Sequence, residues 1–388
     1  MKKWIRAGTI LGAAVWCMTA ICGCLDGSGE HSSSIKVRQS SYGSESSIGG
    51  EERIQRISEG NFAYESLSSE GKTVYDQMLT TILTYGKSVN LATMDTKLMR
   101  EAYQALNCDY GGLFWVEGYV FTSYTKGGKR IGLEFSPNYV MEEEEKNRLQ
   151  SQVDDVVEEW MGGISLHDSD YEKAKYVFET LIKQVDYVEG AKDNQNILSV
   201  FLHRETVCQG YACATQYLLR QLGISSAIIS GKANNQAHAW NLVKLDDGYY
   251  HMDTTWGNST YMDTSNNASK FVNYNFLCMT DEEISNTHHA QMTFVLPECT
   301  SMENNYYVKE GRYFETWDPE AIGAAFRTAW ENGDPSVAIK CKDDELYGKM
   351  KEYFVSQQRI TDYCPGMEYM YYMESPEYCV FTVNFNEM

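Results

Sequence analysis

Between Cys208 and Asp253 the chain changes its hydrophobic rhythm in a way that suits a helix followed by sheet strands. From Cys208 the residues read as a helix running to Leu222, with Gly223 following as its C-cap. Ile224 to Ser230 is a β-branched run suited to a buried strand. Ala237 to Leu245 and Tyr249 to Asp253 then read as a hairpin around Asp246-Asp247-Gly248. A helix laid on strands of set register predicts an α+β unit, because a one-residue slip would turn every side chain to the wrong face.

The flanks predict smaller α+β units. In residues 59–161, Val74, Tyr75, Met78, Leu79, Ile82 and Leu83 recur at helical spacing. Glu117 to Thr125 and Lys129 to Phe135 read as strands joined at Gly127-Gly128, and Pro137 is expected to end that hairpin. Glu142 to Glu145 suit the positive end of a helix dipole, and Gly162-Gly163 closes that helix. Residues 162–297 form the expected central domain, opened by a helix with Tyr171, Ala174, Phe178, Leu181 and Val185 on one face. Residues 298–388 read as a small C-terminal α/β domain. Its expected strands are Val337 to Cys341 and Cys379 to Phe385, with Leu346, Met350 and Tyr353 on a helix between them.

A chain of 388 residues, 43% hydrophobic, can bury cores in two or three domains. Its formal charge of −21 repels phosphate backbones, so no nucleic-acid partner is expected. Lys2, Lys3 and Arg6, followed by an apolar run from Ala7 to Ile21, read as a signal peptide over residues 1–23. The run is short for a membrane span. Ile21-Cys22-Gly23-Cys24 resembles the bacterial lipobox, which implies cleavage before Cys24 and lipid on its sulfur. Residues 24–58 are rich in Ser, Gly and charge, with eight serines from His31 to Ser47, and read as a flexible tether. The expected location is extracytoplasmic, with the chain held to a bacterial membrane by its lipid anchor.

The chemistry gathers around three residues. Cys208, at a predicted helix start, is placed where unpaired N–H groups and the dipole favour a thiolate. Gly210 lets other backbone approach the first turn closely. His238, in Ala237-His238-Ala239-Trp240-Asn241, could take the thiol proton and return it to a leaving group. Asp253, in Asp253-Thr254-Thr255-Trp256, could hold the ring tautomer. A two-residue turn at Asp246-Asp247 would pair Trp240 with Asp253. His238 would then be a diagonal neighbour of Asp253, about 7 Å away between backbones.

Taken together, Val207-Cys208-Gln209-Gly210-Tyr211-Ala212, His238-Ala239-Trp240-Asn241 and Asp253-Thr254-Thr255-Trp256 resemble the motifs of the transglutaminase-like superfamily, in the family's order. The clear similarity runs from about Asp170 to Thr280. Asp109 to Tyr119 and Pro297 to Tyr307 more weakly resemble segments of multi-domain bacterial relatives. The resemblance implies a papain-like core over residues 162–297 and a Cys208, His238, Asp253 triad. It also implies acyl transfer through a thioester on a peptide or protein substrate, such as a cell-wall peptide or a host protein. Hydrolysis is favoured over crosslinking. A non-catalytic surface binding or adhesion protein that keeps the fold is the alternative.

Gln195 is the candidate second oxyanion donor beside the Cys208 N–H. Trp240 and Trp256 are expected to flank the cleft, and Tyr211 to hydrogen-bond within the site. Cys213 should point into the core, and His251 is expected to face solvent beside the turn. No cofactor is expected. No C-x-x-C pair occurs, and no metal site is expected.

Overall fold

A computed structural model describes residues 6–9, 61–126, 128–262 and 268–385. The tether, Cys24, and all of the leader except Arg6–Thr9 lie outside the described residues. The described chain forms two compact units. One comprises residues 61–249 and 288–298. The other comprises residues 250–287 and 299–385, together with Arg6–Thr9.

The first unit opens with the helix Ser69–Leu83, capped by the Ser68 hydroxyl, which accepts from the Gly71 N–H. Val74, Tyr75, Met78, Leu79 and Ile82 are buried along it, as their spacing predicts, whereas Leu83, expected with them, is exposed at the helix end. A three-stranded antiparallel sheet follows, ordered Val89–Asn90, Lys129–Tyr139, Val116–Lys126. Pro137 does not end the hairpin as expected. It stays in register opposite Tyr119, and the strand continues to Tyr139. The ladder shifts register between Val116 and Tyr119, where Gly118 takes φ +75°. A bulge of this kind tolerates a residue that has no N–H to give.

The helix Glu143–Met161 begins in the glutamate run and stops at Gly162. Ser169 and Glu172 form a capping box at the start of Asp170–Gln184, whose buried face includes Tyr171, Ala174, Phe178 and Leu181. The helix Cys208–Gln221 starts where the sequence predicts and ends at Gly223, φ +79°. It lies on an antiparallel sheet ordered His288–Ala290, Ser226–Ala233, Gln236–Leu245 and Gly248–Met252. The turn between the last two strands falls at Asp246–Asp247. The last strand carries the chain out of this unit after Tyr249.

The second unit is built on a five-stranded mixed sheet, ordered Arg6–Thr9, Tyr369–Ser375, Val380–Asn384, Ser336–Cys341 and Tyr313–Phe314. The helix Pro319–Asn332, with Asp318 as its cap and Pro319 at its first position, buries Ile322 and Phe326 in this core. The predicted helix through Leu346 and Met350 runs from Asp344 to Lys351 and continues as a π turn, Glu352–Ser356. Lys340, buried in the sheet, donates to the Tyr378 carbonyl at 2.8 Å and pairs with Glu283 at 2.9 Å. Among the described residues, no helix is long and apolar enough to cross a membrane. The eight cysteines from Cys108 to Cys379 are free thiols.

Candidate active site

Local chain geometry places Cys208 at the first position of its helix. Glu205–Thr206 pairs in parallel with Asp186–Tyr187 and delivers the chain extended to Val207 (φ −114°, ψ −176°). Val207 occupies the N-cap and offers no acceptor, so no side chain caps this terminus. Ser, Thr, Asp or Asn in that place would add about 1 kcal/mol of helix stability. Without one, the first-turn N–H groups and the positive dipole end are directed at the Cys208 region.

Four contacts brace this helix within its unit. A Cβ on Gly210 would come within 1.9 Å of Thr206 Oγ1 and 2.9 Å of Ser199 Oγ, two hydroxyls already bonded to each other at 2.7 Å. Glycine is therefore required there, and the close approach expected of it is present. The Tyr211 hydroxyl donates to the Val185 carbonyl at 2.7 Å. Asn241, from the histidine strand, donates to the Ala212 carbonyl at 3.0 Å. Gln216 donates to the Asp109 carbonyl at 2.6 Å and accepts from the Gly111 N–H at 2.9 Å. The last pair gives the Asp109 segment a physical role as backing for the helix.

Two cysteines on this helix differ sharply in surroundings. Cys213 is buried, and desolvation pushes its thiol up to about 12, which keeps it an inert thiol. It points into the interior, as expected. Cys208 is half-exposed.

His238 stands on the strand Gln236–Leu245, opposite Gly231. Its ring lies nearly parallel to that of Trp240, 17° and 6.1 Å away, and edge-on to His288 at 5.2 Å. Trp240 also meets His288, at 5.1 Å. Trp240 is fully buried, so it is an interior support beside the imidazole rather than the expected cleft wall. Gly231 makes that position available, since a Cβ there would fall 2.8 Å from the Trp240 ring. Tyr211 is likewise an interior clamp, with its hydroxyl engaged by Val185.

Gln195 is exposed on the loop before the helix, with its amide donating to Asn194 at 2.8 Å. Its backbone carbonyl lies 4.0 Å from Cys213 Sγ, which sets this loop against the first turns of the helix. Cys208, His238 and Gln195 thus belong to one unit.

Asp253 belongs to the other unit, one residue beyond the strand Gly248–Met252. It is fully buried, and its Oδ1 accepts from Thr255 N–H at 2.8 Å and Trp256 N–H at 3.0 Å. Its own N–H donates to the Phe276 carbonyl at 3.0 Å. Trp256 is partly exposed and meets Phe276 edge-on at 5.3 Å. His251 is buried, contrary to the expectation of a solvent-facing ring. Its main chain bridges to Met279 in both directions, which draws it under the loop before Thr280. His288 and the clamping role of Asn241 escaped the sequence reading. Asn241 sat within a quoted motif, whereas His288 carried no pattern.

Residues 159–254 match the family model described as the transglutaminase-like superfamily. The kyphoscoliosis peptidase of Mus musculus is 24% identical over 228 residues, covering 52% of this chain and 33% of that protein. The chain therefore spans about a third of the length of that curated relative. Similar solved structures include a TGase, with TM-score 0.27 and 12% identity over 36% of this chain and 44% of that one. Another is a putative cysteine protease from Cytophaga hutchinsonii, with TM-score 0.24 and 13% identity over 40% of this chain and 66% of that one. The fold is α+β, and residues 159–254 are similar to the transglutaminase-like superfamily.

Proposed function

We propose, on the match of residues 159–254 to the transglutaminase-like superfamily model, that the chain is a cysteine enzyme that cleaves or transfers acyl groups of peptide or protein amides. The observation that carries this reading is Cys208: half-exposed, at a helix terminus without a side-chain cap, on a helix laid against the strand of His238. His238 takes the thiol proton, and the thiolate attacks the amide carbonyl. The Cys208 N–H and Gln195 receive the developing oxyanion. The amine leaves with the proton from His238, and a thioester remains. Water or a second amine, deprotonated by His238, then releases the acyl group. Asp253 holds the imidazole in the required tautomer. The turn at Asp246–Asp247 supports this pairing, since it is the turn that the required register assumes.

Hydrolysis is the favoured outcome, and the mouse relative's name as a peptidase agrees with it. Trapping tests the reading directly. Glutamine peptides and cell-wall peptides incubated with the protein should leave an acyl mass on Cys208, detected by mass spectrometry and absent from Cys208→Ala. If no candidate acylates the protein and Cys208 alkylates no faster than a model thiol, the protein is a binding module that retained the fold.

The same proposal places the enzyme outside the membrane, with Cys24 lipidated and residues 25–58 as its tether. Cleavage before Cys24 would also remove Arg6–Thr9, which pairs with Tyr369–Tyr372 in the full chain. A Cys24→Ala protein that stays membrane-bound in cell fractionation would defeat the anchoring proposal.

A further inference from the structure

His251, Asp281 and Cys299 gather in the second unit from three separate chain segments: a strand end, a helix start and a loop. Each offers one ligand atom, and these atoms all lie within 4.8 Å of one another. His251 Nε2 is 2.9 Å from Asp281 Oδ1. The Cys299 N–H donates to Asp281 Oδ2 at 2.8 Å, and the Asp281 N–H donates back to the Cys299 carbonyl at 2.8 Å. The His251 side chain is 4% exposed and that of Asp281 49%, while Cys299 is wholly buried. The cluster therefore has two interior ligands and one that opens to solvent.

We propose that these three residues form a binding site for a single divalent transition metal of zinc type. Imidazole nitrogen, thiolate sulfur and carboxylate oxygen are the donors that suit such an ion. A tetrahedral ion with bonds of about 2.0–2.3 Å sets its ligand atoms about 3.3–3.6 Å apart. In such an arrangement Asp281 Oδ1 withdraws a few tenths of an ångström from its 2.9 Å contact with His251 Nε2, and the Cys299 sulfur, within 4.8 Å of both, closes on the ion. The half-exposed Asp281 leaves the fourth position open to water.

Charge favours the same occupant. A Cys299 thiolate alone would be buried beside the Asp281 carboxylate, so burial and that neighbour hold the thiol well above its usual range. A dication reverses this. The Cys299 thiol gives its proton to solvent as the sulfur–metal bond forms, and His251 binds as neutral imidazole through Nε2. Ion, thiolate and carboxylate then sum to zero charge. Because His251 lies two residues before Asp253, metal binding would tie down the segment leading to the proposed catalytic carboxylate. The site itself does not depend on the chemistry proposed at Cys208.

Cobalt provides the test on the full-length protein after chelator treatment. One Co2+ per chain should bind and give a thiolate-to-metal charge-transfer band. The band should persist in Cys208→Ser and disappear in Cys299→Ser. His251→Gln and Asp281→Asn should each weaken Co2+ binding at least about tenfold. Circular dichroism of each variant checks that it is folded. Should Cys299→Ser not fold, the wild-type protein still decides the matter: Zn2+ should protect Cys299 from a small thiol reagent, as mapped by mass spectrometry. Absence of a thiolate band, a band that follows Cys208 instead, or alkylation of Cys299 unaffected by Zn2+ would overturn the site.

Discussion

Cys208 and Cys299 stand in different settings within this protein. Cys208 begins a long helix, is half-exposed, and has no side-chain cap drawing on the helix terminus. Cys299 lies in a loop, is fully buried, and shares hydrogen bonds with the Asp281 carboxylate. Burial and a neighbouring anion oppose a thiolate in the second setting, where the thiol is held well above its usual range. Of the histidines, His238 lies beside the rings of Trp240 and His288, and His251 lies 2.9 Å from the Asp281 carboxylate. The lesson is that residue type alone does not assign chemistry. The backbone around each sulfur sets how far it is exposed and which charges it meets.

The sharpest way to break this contrast is alkylation. At neutral pH iodoacetamide should modify Cys208 on the order of a hundredfold faster than Cys299 or Cys213. Site-resolved mass spectrometry reads the three rates in one experiment. Equal rates would mean that the helix terminus gives Cys208 no advantage, and the contrast would collapse.

A second test attacks the setting of Cys208 rather than its sulfur. Gly210→Ala forces a methyl group into Thr206 and Ser199. Overpacking of this kind costs about 1–3 kcal/mol. It should lower the unfolding midpoint and slow Cys208 alkylation, leaving Cys299 unchanged. Asn241→Ala should act in the same direction more weakly. It removes the donor to the Ala212 carbonyl, and a lost buried hydrogen bond costs about 1–2 kcal/mol. If Asn241→Ala leaves both stability and the alkylation rate intact, the strand-to-helix clamp is incidental to the thiol.

The elements that carry Cys208 and His238 could be read from sequence and the grouping of His251, Asp281 and Cys299 could not, for a physical reason. Cys208 and His238 sit on regular elements whose periodicity, caps and turns are local, so their start at Cys208 and their turn at Asp246–Asp247 followed from neighbouring residues. His251, Asp281 and Cys299 are 30 and 18 residues apart along the chain. The Met279 bridge and the loop carrying Cys299 bring them together, and neither leaves a spacing pattern. Trp240 is expected on a cleft wall and is buried instead, because a strand residue beside a candidate histidine gives no clue to the depth of its face. That depth depends on Gly231 across the ladder. Pro137 was misread for the related reason that a bulge on the partner strand is invisible from the proline's own neighbours.

A further expected effect concerns the support behind Cys208, and it depends on pH. Asp109 is buried at the back of that helix, where its carboxylate accepts from Ala63 N–H, Tyr64 N–H and the Tyr75 hydroxyl at 2.9–3.1 Å. Those donors favour the anion, yet desolvation outweighs them and raises the carboxyl to about 7 from 3.8. The folded state therefore holds a proton that the unfolded chain has released between about pH 4 and 7. Stability should fall as pH rises through that window, with a slope of at most about 1.4 kcal/mol per pH unit. In Asp109→Asn, which cannot titrate, this slope should vanish, so the stability difference between the wild type and the variant should shrink from pH 4 to pH 7. Chemical denaturation across that range measures it. A difference that instead widens with pH would mean that the three donors prevail and that Asp109 stands behind the Cys208 helix as a charged residue.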